Sequence, residues 1–246
     1  MHALFPKAVS VLPLVLLVWG MPAEAQELTL DLGSDASLAT RSVQLLVLIT
    51  VLSLVPGIAI MVTCFPFMVT VLAILRQAIG LQQSPPNMLM VSLALFLTYF
   101  VMEPVFTESY VQGIAPMMDG TLPLADGLAR AMAPLQDFML ARVDPDTLSD
   151  LGALRPDLDP AAPLDQAPLS VLVPSFLLSE IARAFQVGFL IFLPFLIIDL
   201  VVAAVLMSMG MMMVPPAIVS LPFKLAFFVV ADGWSLLAAS LVRGYG

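Results

Sequence analysis

From Phe189 to Trp234 the chain reads FLIFLPFLIIDLVVAAVLMSMGMMMVPPAIVSLPFKLAFFVVADGW, with only Asp199, Lys224 and Asp232 ionisable. Leu200 to Phe223 is free of charge, and so is Ala184 to Ile198 just upstream. Uncharged runs of this length predict helices in an apolar setting. The ionisable groups between them are costly in lipid, so they face protein or water. Charges that return about every 15 to 25 residues suit a helical wall lined by neighbouring chains. They suit a set of independent lipid-facing spans poorly. Asp199 and Lys224 can pair with each other, or each can snorkel or meet a partner chain separately, and the residues favour neither.

Met207, Met209, Met211, Met212 and Met213 place five methionines in seven residues around Gly210, just ahead of Pro215-Pro216. Glycine and proline end helices, so a turn with thioether side chains is predicted between two helices. Methionine fills irregular gaps in cores, thioethers bind Cu(I), and a flexible apolar ring can close a pore around cargo of variable shape. Copper is the weakest of the three, because no histidine is available and Cys64 is remote in sequence. Core filling and pore closing both fit the residues.

Upstream, this apolar block begins at Leu169. Glu180, Arg183 and Gln186 fall at i, i+3 and i+6, a polar stripe on a helix with Glu180 in reach of Arg183. Glu103 to Asp165 holds 11 acidic and 3 basic residues, the latter Arg130, Arg142 and Arg155. Leu124 to Val143 has a helical pattern interrupted at Pro134, and Pro156, Pro160, Pro163 and Pro168 predict a linker. An acidic segment with few basic residues fits the outer side of a membrane.

A first apolar block runs from Arg41 to Glu103. Val43 to Leu75 carries no charge, too long for one ordinary span and too short for two spans and a turn. Pro56-Gly57 and Pro66 therefore predict a broken helix, bent at Pro56-Gly57. Arg76 closes the run. Gly80 to Asn87 reads as a polar turn in which Pro85-Pro86 set the start of a second helix, Met88 to Met102, ended by Glu103-Pro104. Together the two make a helical hairpin. Cys64 reads as an inert buried residue, and Trp234 and Tyr245 as interfacial anchors. Lys7, the apolar run Ala8 to Trp19 and Ala23-Glu24-Ala25 before Gln26 have the pattern of a signal peptide, the alternative being an uncleaved first transmembrane helix, for which the run is short of the ~20 residues a span needs. The expected layout is a signal peptide over 1–25, a short segment over 26–42, a first hairpin over 43–106, an acidic segment with linker over 107–168, and a second hairpin with its methionine-rich loop over 169–246.

Composition narrows the function. The 246 residues are 61% hydrophobic and 11% charged. Ordinary soluble domains are roughly 45–50% apolar and about 25% charged, so a free soluble enzyme is excluded. The only histidine, His2, lies in the segment read as removed. Without it no Ser-His-Asp triad and no His-ligated metal site can form. One cysteine gives no thiolate cluster. There is no Walker-type loop and no GxGxxG. No cofactor or metal is expected, and a net charge of −9 argues against nucleic acid as a partner. A small-solute transporter would show internal repeats, and none is clear.

The stretch Phe189–Trp234 resembles the FliP family of flagellar export-gate proteins. LRQAIG from Leu75, PPN from Pro85, LALFLT from Leu93, PLQDFML from Pro134 and AFQVGF from Ala184 agree with it. The likeness covers nearly all of the chain beyond the signal segment, and the family also carries a cleaved signal peptide. Injectisome relatives of the SctR type share much of it, so an export-gate subunit of a non-flagellar type III system is the alternative. The signal peptide and Pro215-Pro216 look more like the flagellar branch.

The resemblance implies an all-α, membrane-associated fold of helical hairpins that assemble into an oligomeric helical ring. It implies further copies of the chain, FliQ and FliR as partners in the gate, FlhA and FlhB beside it, and unfolded flagellar proteins in transit. It implies a place in the bacterial inner membrane and at the periplasmic level of the basal body, and no enzymatic activity. By match, Met207, Met209, Met211, Met212 and Met213 form a pore gasket. Phe138, Glu180, Arg183, Phe185 and Gln186 fall in regions that look like subunit contacts. Arg76, Pro85, Pro86, Asn87, Asp199, Pro215, Pro216, Lys224 and Asp232 are structural motif positions. The chain departs from the family at Cys64-Phe65-Pro66-Phe67, where a polar, Arg-containing stretch is usual. It also departs at Met88, usually Gln, and at Ala182, usually Lys, beside Arg183. These changes bear on the contacts of the first hairpin.

Overall fold

The computed structural model describes residues 36–81, 85–156, 163, 167–211 and 213–245, without the side chains of 36–40. The signal segment, most of the proline-rich linker, the centre of the turn after Gly80 and Met212 lie outside the described residues. Every regular element among the described residues is helical, as the apolar runs and the resemblance predict. In chain order they are α1 (Ala36–Met61), α2 (Phe65–Ile79), α3 (Asn87–Ser109), a π-helical turn (Tyr110–Ile114), α4 (Ala115–Met118), α5 (Leu124–Arg142), α6 (Pro145–Ala153), α7 (Leu169–Ser208), α8 (Pro216–Val230) and α9 (Gly233–Arg243).

Two units divide at Thr50. The described part of the first is the N-terminal half of α1, whose apolar side chains are exposed from Val43 onward. The second, Val51–Gly246, holds the packing described below.

Arg41–Met61, Asn87–Met118 and Leu169–Ser208 are long and apolar enough to cross a membrane, and α8 with α9, bent by 63°, forms a possible fourth crossing. At 1.5 Å per residue the 40 residues of α7 extend about 60 Å. That is roughly twice the ~30 Å hydrocarbon core of a bilayer.

The core is built around α2, a short, strongly apolar helix. Phe67, Met68, Val71, Leu72, Leu75, Ala78 and Ile79 are all buried in it. They pack against Met90, Ala94 and Met102 of α3, Ala184 and Phe195 of α7, Phe228 of α8 and Leu237 and Leu241 of α9. α7 packs tightly on α2 at Gly188, where a Cβ would lie 2.4 Å from Ile74 Cδ1. A side chain there would push the helices apart. A second cluster joins Met139 and Val143, Leu148 of α6, and Val171, Leu172 and Phe176 of α7. Asp144 caps α6, accepting from the Thr147 amide at 3.0 Å and the Thr147 hydroxyl at 2.7 Å. These bonds hold its carboxyl below the usual carboxylate range.

Three expected breaks fall elsewhere. α1 runs unbroken through Pro56-Gly57 to Met61, and the chain turns at Val62–Cys64 instead. Pro66 explains the position: it sits in the first turn of α2, where its missing N–H goes unused. α3 likewise continues through Pro104 to Ser109, and α5 through Pro134. A single lost backbone bond does not stop a helix whose remaining bonds hold on either side. Cys64 is buried as expected, and burial pushes its thiol up to about 12, leaving it neutral and unreactive.

Candidate functional site

α7 and α8 form an antiparallel hairpin whose tip is the methionine turn. The tip follows from backbone chemistry. Gly210 takes the left-handed conformation (φ 73°) that side-chain-bearing residues avoid. Its amide donates to Met207 O at 3.1 Å, and the Met211 amide donates to Leu206 O at 3.0 Å. This pair of bonds satisfies the last carbonyls of α7. Pro216 then opens α8 at a position that needs no donor.

Met207, Met209 and Met211 are 62%, 66% and 41% exposed, and Met213 is 97% exposed. These four methionines therefore do not fill this chain's core. An open apolar groove of about 680 Å³ runs beside the hairpin, lined among others by Val201, Val205, Met209, Met211, Val219 and Phe223.

Two polar clusters stand inside the apolar framework. In the first, Glu180 of α7 is fully buried. Arg142, from the end of α5, donates through Nε to Glu180 Oε1 at 3.4 Å, and Arg183 Nη1 lies 3.8 Å from the same oxygen. The Tyr245 hydroxyl donates to Glu180 Oε2. Burial and the adjacent carboxylate raise the Tyr245 phenol well above its usual range, so it remains a donor. Arg142 also donates through Nη1 to Gly244 O at 2.8 Å, and its Cζ stands 4.0 Å from the centre of the Tyr245 ring. Phe138 stacks on that ring at 6.2 Å, and Phe67 meets it edge-on at 5.4 Å. Arg142 and Tyr245 thus tie the end of α9 to α5, α7 and α2.

The second cluster joins the hairpin to α2. Lys224 of α8 is buried, and its Nζ donates to Asp199 Oδ2 at 2.6 Å and to Ala78 O at 3.0 Å. Ser220 donates to Asp199 Oδ1 at 2.5 Å. Asp199 and Lys224 therefore pair within the chain.

A family model described as the FliP family matches residues 48–241. The chain is 52% identical over 228 residues to a flagellar biosynthetic protein FliP of Caulobacter vibrioides, covering 92% of this chain and 85% of the relative. It is 44% identical to the Bacillus subtilis protein of that name, covering 87% and 96%, and 46% identical to that of Rhizobium meliloti, covering 86% of each. The chain belongs to the FliP family. Membership, with the apolar helices, makes it an integral membrane component of the flagellar export apparatus.

The positions singled out in the sequence fall into several places. Phe138, Glu180 and Arg183 meet in the cluster around Tyr245, while Phe185 and Gln186 lie exposed on α7. Arg76 donates to the Asn87 side chain, and Pro85 and Pro86 lead into α3, so these motif positions clasp the α2–α3 turn. Asp232 adopts φ 50° at the bend between α8 and α9, a conformation Asp tolerates better than most residues, and Ser235 donates to its carboxylate. Gly233 beside it has no room for a Cβ, which would lie 2.2 Å from the Phe228 ring.

Tyr245 is packed between Phe67 and Phe138, not set apart as an interfacial anchor. Arg142 and Ser220 carried no site signal in the sequence, and Tyr245 stood out only as an interfacial anchor. The scarcity of arginine, in a chain with nine basic residues, was the one hint for Arg142. Among the described residues no group of three or more His, Cys, Asp or Glu is placed to hold a metal ion.

Proposed function

We propose that the chain is a core subunit of the flagellar type III export gate. In this reading several copies assemble with FliQ- and FliR-like proteins into a ring of helical hairpins, with FlhA- and FlhB-like proteins beside it. Unfolded flagellar proteins pass through the ring across the inner membrane at the periplasmic level of the basal body. The work is steric, and the methionine turn closes the idle channel.

The observation that carries this reading is the exposure of the methionines at the tip of the α7–α8 hairpin. A helical hairpin delivers thioethers to a point where Met207, Met209, Met211 and Met213 stay largely exposed. Unbranched, polarisable side chains re-pack around variable surfaces, which a seal around unfolded cargo requires. The long apolar faces of α1 and α7, exposed in the single chain, supply the surface for neighbouring copies and partners. Phe185 and Gln186 lie on such a face. Phe138, Glu180 and Arg183 would support subunit contact from behind it, by fixing the end of α9.

The test is the mass of the detergent-solubilised complex after co-expression with neighbouring FliQ- and FliR-like proteins. The expected result is a stable multi-copy complex containing all three. A lone monomer that never recruits them would overturn the reading.

A further inference from the structure

We propose that Lys224 is a positioning residue for the gate: by bridging Asp199 and the end of α2, it fixes the height of the methionine turn against the rest of the chain. The proposal rests on the gasket reading of that turn.

The turn has no anchor of its own. Met207, Met209, Met211 and Met213 are exposed, so its position is inherited from α7 and α8. An open apolar groove lined by residues of both helices runs beside the hairpin. Apolar contacts slide easily, because one methyl replaces another at little cost. Among the described residues, the only polar ties between α7 and α8 are those of Asp199 with Ser220 and Lys224.

The bridge sits at matched height on the two arms. Asp199 is eight residues before Met207 and Lys224 eight after Pro216, about 12 Å along each helix at 1.5 Å per residue. A bond between matched points fixes the register of one helix against the other.

The third contact extends the tie to the first hairpin. At the end of α2, Gly80 and Leu81 donate to the Gln77 and Arg76 carbonyls. Lys224 donates to the next carbonyl, Ala78 O, where the partial negative charge of the helix end favours a cation. Leu221 Cδ1 would meet a Cβ on Gly80 at 3.8 Å, placing α8 beside that same end. One ammonium thus holds α2, α7 and α8 together.

The test uses the full chain in the co-expressed complex, with two readouts: hydrogen exchange of backbone amides in 201–208 and 217–221, and ion leak through the idle gate. Lys224→Met should leave the complex recoverable, speed exchange in both segments and raise leak severalfold. Lys224→Arg, which keeps the charge and the donors, should restore most of both. The double exchange Asp199→Lys with Lys224→Asp should not, because it turns a carboxylate toward Ala78 O. Unchanged exchange in Lys224→Met, or full restoration by the double exchange, would overturn the proposal. Should Lys224→Met fail to assemble, Asp199→Asn reads the same bridge, with faster exchange expected and unchanged exchange contradicting it.

The two readings separate cleanly. If methionine variants leak while Lys224→Met exchanges normally, the positioning role fails and the gasket stands. If methionine variants do not leak but Lys224→Met exchanges faster, the gasket fails and the bridge still positions the turn.

Discussion

α2 and the α7–α8 hairpin are both strongly apolar, yet they use that character in opposite directions. α2 buries seven of its fifteen residues inside the chain. α7 buries ten of forty and α8 three of fifteen. The surplus on the hairpin therefore points outward, to lipid or to neighbouring chains, and its tip exposes methionine. Composition alone does not separate a core helix from a wall helix. Length separates only α7: α2 and α8, at fifteen residues each, extend about 22 Å at 1.5 Å per residue, too short to cross a ~30 Å hydrocarbon core, whereas α7 exceeds it.

The largest expected effect on this contrast comes from Glu180, where α7 meets the packed side. Glu180→Ala leaves Arg142 and the Tyr245 hydroxyl without their acceptor in a buried site. Removing one partner of a buried pair costs roughly 3–5 kcal/mol, so the detergent-solubilised chain should melt markedly earlier and yield less oligomer. Normal melting and normal oligomer would show that the cluster holds nothing together.

Next comes the contrast itself. Leu72→Ala should cost about 2–5 kcal/mol, as deletions in packed cores do. Val201→Ala, on the exposed face of α7, should change the melting of the single chain by no more than about 0.5 kcal/mol. In the assembled complex the gap should narrow, because neighbours then cover that face. Equal cost in the isolated chain would erase the distinction between core and wall.

The smallest effect concerns Asp144, on the packed side. Its carboxyl titrates below the ordinary value in the folded chain, through the Thr147 bonds. The cap therefore contributes fully above the ordinary carboxylate pKa of 3.8 and is lost as pH falls through the lower folded value. Asp144→Ala should lower melting slightly at neutral pH and flatten the loss of stability in acid, read from melting curves across pH. An unchanged acid limb would place that loss in other carboxylates.

Much of the fold was legible because apolar runs and their lengths are local signals. Val43 to Leu75 announced a broken helix, and Gly210 with Pro215-Pro216 announced the hairpin tip. Proline was over-read. Pro56, Pro104 and Pro134 lie inside continuous helices, since each removes one backbone bond and leaves the rest of the helical ladder in place. The polar clusters were only half legible. Glu180 with Arg183 follows from helical spacing. Arg142 with Gly244 and Lys224 with Ala78 join residues 102 and 146 apart, and no local spacing rule reaches that far. The exposure of the methionines was equally out of reach, because a cluster of thioethers fits a core as well as a seal.

The gasket is tested most directly by ion leak through idle complexes in which Met209, Met211 and Met213 are replaced by alanine. These side chains are exposed in the single chain, so the substitutions should leave melting and assembly unchanged. The account predicts assembled complexes with severalfold higher leak. Assembled complexes that remain as tight as the unsubstituted gate would contradict it.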